Sequence, residues 1–360
     1  MAMSIAPASG PAPALPDSRH LRHRLMAAGV AVALAGAAVA AVPGLAGVRE
    51  RFAAASPGWL AAALVLELGS CLAFVAVFRG VFAPRLAWGQ SYHLGMAAQG
   101  TNVLLPSGGA SGLALGAWVL SRMGVPAAQL GVRGVAFFVV TSAVNFATVA
   151  VVGTALAVGL LAGDLPLALT AGPALLAAVA MAVVAVGPGR LPVPHGAGGR
   201  ADRILVAVHT ALSGGIREAG RLLAGGNPLI VAGAIGYMFF DVAALGAAFA
   251  AVASLPSIGL LLVAYVVGQL GGLLPVPGGV GGADGGLIAA LVIYGIPLGE
   301  AAAAVLAYRA FQLGLPALLG TLAVTRLPGV LSAGPDGASS ARQAPVGPVP
   351  IAAASGAPVA

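Results

Sequence analysis

The hydrophobic positions of this chain fall in long blocks, separated by short polar or Gly/Pro-rich breaks. Apolar runs cover 25–47, 58–78, 134–162, 167–187, 228–253 and 301–325. Each is long enough to cross a hydrocarbon core, which takes about 20 residues. The run at 134–162 is over-long, so it must tilt, break or begin outside the hydrocarbon. Between 188 and 226 the pattern changes. That stretch holds Arg190, Arg200, Arg203, Arg217 and Arg221 with Asp202 and Glu218, and reads as a basic cytoplasmic loop with an interfacial helix at 201–223. Residues 1–24 form a polar lead that ends in a basic cluster, Arg19, Arg22 and Arg24. Basic residues before an apolar run also mark signal peptides. The length of 25–47 favours an uncleaved span. Residues 327–360, rich in Pro, Ala, Gly and Ser, read as a disordered tail.

Two regions fit neither class. Residues 86–105 and 258–274 each run into a Gly/Pro knot. The first knot is Leu104-Leu105-Pro106-Ser107-Gly108-Gly109. The second is Leu273-Leu274-Pro275-Val276-Pro277-Gly278-Gly279-Val280-Gly281-Gly282. The apolar pieces that follow, 110–121 and 283–294, are too short to span. Two short helices around a break read as a re-entrant hairpin. Such backbone survives at membrane depth only when protein or a water-filled cavity surrounds it.

The two knots are related. Pro106 is followed 18 residues on by Gly124-Val125-Pro126, and Pro277 by Gly295-Ile296-Pro297. Both pairs are 171 residues apart, and Gln99 and Gln269 are 170 apart. The chain is therefore read as a single transmembrane domain over 25–326, with repeat halves at about 58–162 and 228–326. The predicted class is an all-α polytopic membrane protein of about six transmembrane helices plus two re-entrant helical hairpins. If the hairpins cross fully, the count rises to eight.

Composition supports the bilayer. Only 8% of residues are charged, mean hydropathy is +1.01 and Gly numbers 54 of 360. So few charges cannot cover a soluble surface, which excludes a soluble enzyme or a nucleic-acid binder as a description of the whole chain. The net charge of +7 comes entirely from Arg, since the chain has no Lys. With the N-terminus inside, 14 Arg fall on the cytoplasmic side, Arg49 and Arg51 fall outside, and Arg309 lies within the membrane. The positive-inside rule is met. In that arrangement the first hairpin dips from inside and the second from outside. The halves are then inverted, as in secondary transporters with broken helices at midplane.

Candidate chemistry follows from position. Half-helices that begin after the knots point backbone N–H groups at the break, a setting for phosphate or carboxylate. Close helix packing is the plainer use of the same glycines. Glu67, Asp241, Asp284 and Arg309 are ionisable residues within apolar runs, which marks them as functional candidates. Asp284 can cap its helix or meet a ligand. Arg309 is expected to pair with Asp284, Asp241 or an anionic ligand. Gln99, Thr101, Asn102, Asn145 and Gln269 are neutral polar groups suited to interhelical hydrogen bonds. The lone Cys71 forms no intramolecular disulfide, and no Cys/His cluster has metal-ligand spacing. No cofactor, metal or enzymatic activity is expected.

The second half resembles the transmembrane-region family of lysylphosphatidylglycerol synthases, also called flippase-like integral membrane proteins. The stretch Leu274–Asp284 carries the resemblance, followed by Gly295-Ile296-Pro297, Tyr308-Arg309 and Leu315-Pro316-Ala317-Leu318-Leu319-Gly320. Asp284 stands where the family more often has Glu. The first half matches more loosely, through Pro106, Gly108, Gly109 and Arg122-Met123-Gly124-Val125. The resemblance implies ligand contacts at Pro106, Gly108, Gly109, Pro277, Gly278, Gly279, Gly281, Asp284, Tyr308 and Arg309. Glu67, Asp241, Gln99 and Gln269 are read as coupling or gating residues. It also implies movement of a membrane lipid or a polyprenyl-phosphate-linked intermediate across the plasma membrane, with both termini cytoplasmic. It does not imply lysyl transfer. The rival readings are a small-solute or ion transporter, and a non-transporting partner of a lipid-dependent glycosyltransferase. A homo-oligomer or an enzyme partner is compatible with each; a nucleic-acid partner is not expected.

Overall fold

The computed structural model describes residues 46–105, 110–161, 165–186, 200–269 and 282–333. The first apolar run and both Gly/Pro knots lie almost wholly outside these. The described residues form twelve helices and no strand. They are α1 (Ala46–Ala53), α2 (Pro57–Phe82), α3 (Trp88–Leu104), α4 (Ala110–Arg122), α5 (Ala127–Ala157) and α6 (Leu167–Val186). There follow α7 (Arg200–Ala224), α8 (Pro228–Val252), α9 (Ile258–Gln269), α10 (Gly282–Ile293), α11 (Leu298–Val324) and α12 (Leu327–Ala333).

Five of these, α2, α5, α6, α8 and α11, are long and apolar enough to cross a membrane. They correspond to five of the six expected spans. The over-long run is one unbroken 31-residue helix, α5, whose first turns carry Arg133. That guanidinium donates to the carbonyl of Phe82 at 2.8 Å and so caps the end of α2. The outer faces are apolar: α2 exposes Leu64, Val65 and Leu72, and α6 exposes Leu175, Leu176 and Val183. Such faces suit lipid, not water. The basic loop contains α7 as expected, packed against α5. The tail needs one correction. Its first seven residues are helical, because Leu327 and Val330 lie three apart on one face and bury.

The short helices pair as hairpins. Asn102 Oδ1 of α3 accepts from the backbone N of Gly112 in α4 at 2.6 Å, and Gly268 of α9 packs on Leu287 of α10. The repeat is structural as well as sequential. Gly124 has φ of +88° and Gly295 +92°, a left-handed conformation that Gly adopts without steric cost. Around them the same turn bonds recur: Val125 N donates to Leu120 O, and Ile296 N to Leu291 O. Pro126 and Pro297 then open α5 and α11 with the same backbone angles.

The halves meet along α2 and α8, the most extensive helix pair. Gly80 lies on Ile230, Gly233 on Val77, and Gly69 on Phe240. Numbers rise on one helix as they fall on the other, so these repeat-related spans are antiparallel. The repeat is inverted. Positions one repeat apart meet at Gly69 and Phe240, where the pseudo-two-fold axis crosses. Each hairpin also leans on the last long helix of the other half. Gly100 of α3 touches Gly320 of α11, and Gly259 of α9 touches Leu156 of α5.

Arginines sort by end. Arg79, Arg85, Arg122, Arg133, Arg217, Arg221 and Arg326 belong to the end where α2 finishes and α8 begins. Arg49 and Arg51 belong to the opposite end. There Arg51 pairs with Glu300 at 3.2 Å and donates to the carbonyl of Val252.

Candidate functional site

Two carboxyl groups lie beside the pseudo-two-fold axis. Asp241 follows Phe240, and Glu67 sits two residues before Gly69. Both are buried, at 4% and 3% exposure. Glu67 and Asp241 stand near each other across the α2–α8 seam, close enough for their carboxyl groups to interact. They meet because α2 and α8 cross antiparallel with small residues at the seam, which lets the backbones approach.

Asp241 is held from two further helices. Tyr308 of α11 donates its hydroxyl to Oδ1 at 2.7 Å, and Tyr265 of α9 donates to Oδ2. The Gln269 amide lies beside the Tyr265 hydroxyl, one turn on. Glu67 has a poorer shell. The Cys71 thiol, one turn on in α2, approaches Oε1 at 3.9 Å. No N–H or O–H donor among the described residues meets Oε2.

Arg309 comes next along α11, in the middle of that 27-residue helix. Its Nε pairs with Oδ1 of Asp284 in the first turn of α10, and its Nη1 donates to Gln312. Asp284 is thus an ion-pair partner. This pair is not sealed, since the side chains keep 13% and 20% exposure. Four helices (α2, α8, α10 and α11) therefore bring Glu67, Asp241, Asp284 and Arg309 into one cluster, and α9 adds Tyr265 and Gln269.

Of the sequence candidates, Glu67, Asp241, Gln269, Asp284, Tyr308 and Arg309 come together. Pro106, Gly108, Gly109, Pro277, Gly278, Gly279 and Gly281 lie outside the described residues. Gln99 is buried in α3, and among the described residues its Oε1 meets no donor and no contact links it to the carboxyl pair. Asn102 has the plainer role of bridging its hairpin, as it also accepts from Ser111 at 3.2 Å. Sequence reasoning missed Tyr265 and Gln312. Both had a signal. Tyr265 is the one aromatic in the aliphatic helix Ile258–Gln269 and lies four residues before Gln269. Gln312 lies three residues after Arg309, on the same helix face.

Among the described residues no group of His, Cys, Asp and Glu is arranged to hold a metal ion. No curated protein matches the chain. One family model does, over residues 26–320, described as the lysylphosphatidylglycerol synthase TM region. The match contains the axis, both hairpins and every residue of the polar cluster. The chain, a helical membrane protein built on an inverted repeat, belongs to the lysylphosphatidylglycerol synthase transmembrane-region family.

Proposed function

We propose that the protein moves an anionic lipid, or a lipid-linked intermediate, across the plasma membrane, without covalent chemistry. The observation that supports this most is the Arg309–Asp284 pair: a cation at the middle of a long apolar helix, held by a partner on a short hairpin helix and partly open. An intramembrane charge is costly unless it is paired or used. A phosphate entering beside α10 competes with Asp284 for the same guanidinium, and Arg suits phosphate through its planar set of donors. The Arg-rich end faces the cytoplasm on the positive-inside rule, which places both termini there.

The test is reconstitution in vesicles with headgroup-labelled phosphatidylglycerol, followed by quenching from outside. Wild type should equilibrate label between leaflets faster than empty vesicles, and Arg309→Ala should not. Equal rates for the two proteins would remove Arg309 from the mechanism. Rates equal to those of empty vesicles for both would remove lipid movement itself.

A further inference from the structure

We propose that Glu67 and Asp241 together hold one exchangeable proton, and that the lipid movement proposed above is coupled to its gain and loss. The coupling rests on that reading; the proton site itself does not.

The argument starts from geometry. Two almost fully buried carboxyl groups stand close together across the antiparallel seam of α2 and α8. Two like charges at that separation in a low dielectric strongly disfavour each other, so one proton between them is the stable arrangement. The surrounding donors say where the negative charge rests. Both oxygens of Asp241 already receive a hydroxyl, from Tyr308 and Tyr265. Oε2 of Glu67, in a side chain more than nine-tenths buried, receives none among the described residues. A proton on Oε2 turns that unmatched acceptor into a donor. A bound metal cation fits less well, because both tyrosine hydrogens already point at Asp241.

The other titratable groups facing the pair are few. They are Cys71 on α2, Tyr237 on α8, Tyr265 on α9, and Tyr308 with Arg309 on α11. Arg309 is the only cation among them, and Asp284 already engages it. With all four ionised, Glu67, Asp241, Asp284 and Arg309 carry a net charge of −2, and one proton reduces this to −1. An entering phosphodiester that takes Arg309 brings the cluster to −2 with that proton held and to −3 without it. Headgroup entry and proton uptake therefore favour each other. The proton comes from solvent to a carboxylate oxygen and leaves the same way, and no other bond changes.

Two measurements test this on the full chain. The first needs no lipid substrate: infrared spectroscopy of the purified protein in non-ionic detergent at neutral pH. Wild type should show a protonated-carboxyl C=O band that shifts in D2O. Glu67→Gln should lose that band while eluting as folded protein, and Asp241→Asn serves as the second variant if Glu67→Gln does not fold. A band absent from wild type, or unchanged in both variants, overturns the proton site. The second is the vesicle assay with an imposed proton gradient. Wild-type lipid movement should respond to the gradient and Glu67→Gln should not. A response to a sodium gradient, with none to protons, overturns the coupling even where lipid moves. Lipid that never moves overturns the transport reading, and the infrared result still decides the proton site.

Discussion

The two halves share one backbone plan and almost none of its chemistry. Set 171 residues apart, Asp241 corresponds to Ser70, Tyr265 to Leu94, Asp284 to Leu113, Tyr308 to Phe137, Arg309 to Phe138 and Gln312 to Thr141. Where the second half places a buried tyrosine against a carboxylate, the first places Phe137 edge-on against Phe74 at 5.4 Å and Phe82 at 6.2 Å. Among the described residues the first half gives the site Glu67, with the Cys71 thiol beside it. A repeat supplies two copies of each position, and one copy is enough to keep the scaffold packed. The other is then open to polar residues, which need partners wherever they are buried. The site lies near the axis and is nonetheless asymmetric.

That contrast can be broken most sharply at position 309. Arg309→Ala takes the guanidinium away from Asp284 beside two other acids, a loss of about 3 kcal/mol for breaking a largely buried ion pair. The counterpart Phe138→Ala removes a side chain 46% exposed and should change stability by about 0.5 kcal/mol at most. Thermal unfolding in detergent checks both, and equal losses would mean the halves are energetically alike. A double Asp284→Leu, Arg309→Leu variant should recover most stability and no transport.

Exchanging ring chemistry sharpens the comparison. Tyr308→Phe removes a hydroxyl bond to Asp241, about 2 kcal/mol for a bond to a charged group. Phe137→Tyr buries a hydroxyl among phenyl rings, at a cost of about 1–3 kcal/mol if no partner is found. Both should lower the melting temperature, and vesicle rates should fall only for Tyr308→Phe. A fall for Phe137→Tyr of the same size would spread the site across both halves.

Where the halves are alike, they should respond alike. Gly124→Ala and Gly295→Ala each put a Cβ at positive φ, at about 1 kcal/mol. Melting shifts that differ severalfold would show that the matching turns bear different strain. The smallest effect belongs to Arg51, whose partner Glu300 has the uncharged counterpart Gln129 in the first half. Arg51→Ala should cost about 0.5 kcal/mol, as exposed ion pairs do, and the loss should fade in high salt. A salt-independent loss would assign the cost to the hydrogen bond at the carbonyl of Val252.

Much of this was legible in the sequence, and the limits have physical causes. The five long helices follow from apolar length, and the basic helix α7 from its charges. Both hairpins follow from Gly/Pro breaks at a constant offset. Arg309 with Asp284 was among the expected pairings, since a charge in an apolar run needs a partner. The tyrosine clamp on Asp241 was not legible. Tyr265 and Tyr308 lie 24 and 67 residues away on other helices, and only the packing of α9 and α11 against α8 brings them in. The start of α12 was missed because burial of Leu327 and Val330 outweighs the local composition.

The contact between α3 and α11 constrains how this chain can change. A Cβ on Gly320 would stand 2.6 Å from the Cα of Gly100, and one on Gly100 would stand 2.8 Å from the Cα of Gly320. Most overpacked positions can be rescued by trimming the neighbour. Here the neighbour is already the smallest residue there is, so neither position has a suppressor at the other. Two codons 220 residues apart are thus locked separately, each by the other's backbone. Relief for a Gly320→Ala chain must come from the helices parting, and that moves Pro316 and the Tyr308–Gln312 segment beneath it. Second-site revertants should therefore map along α3 and α11 and never to residue 100.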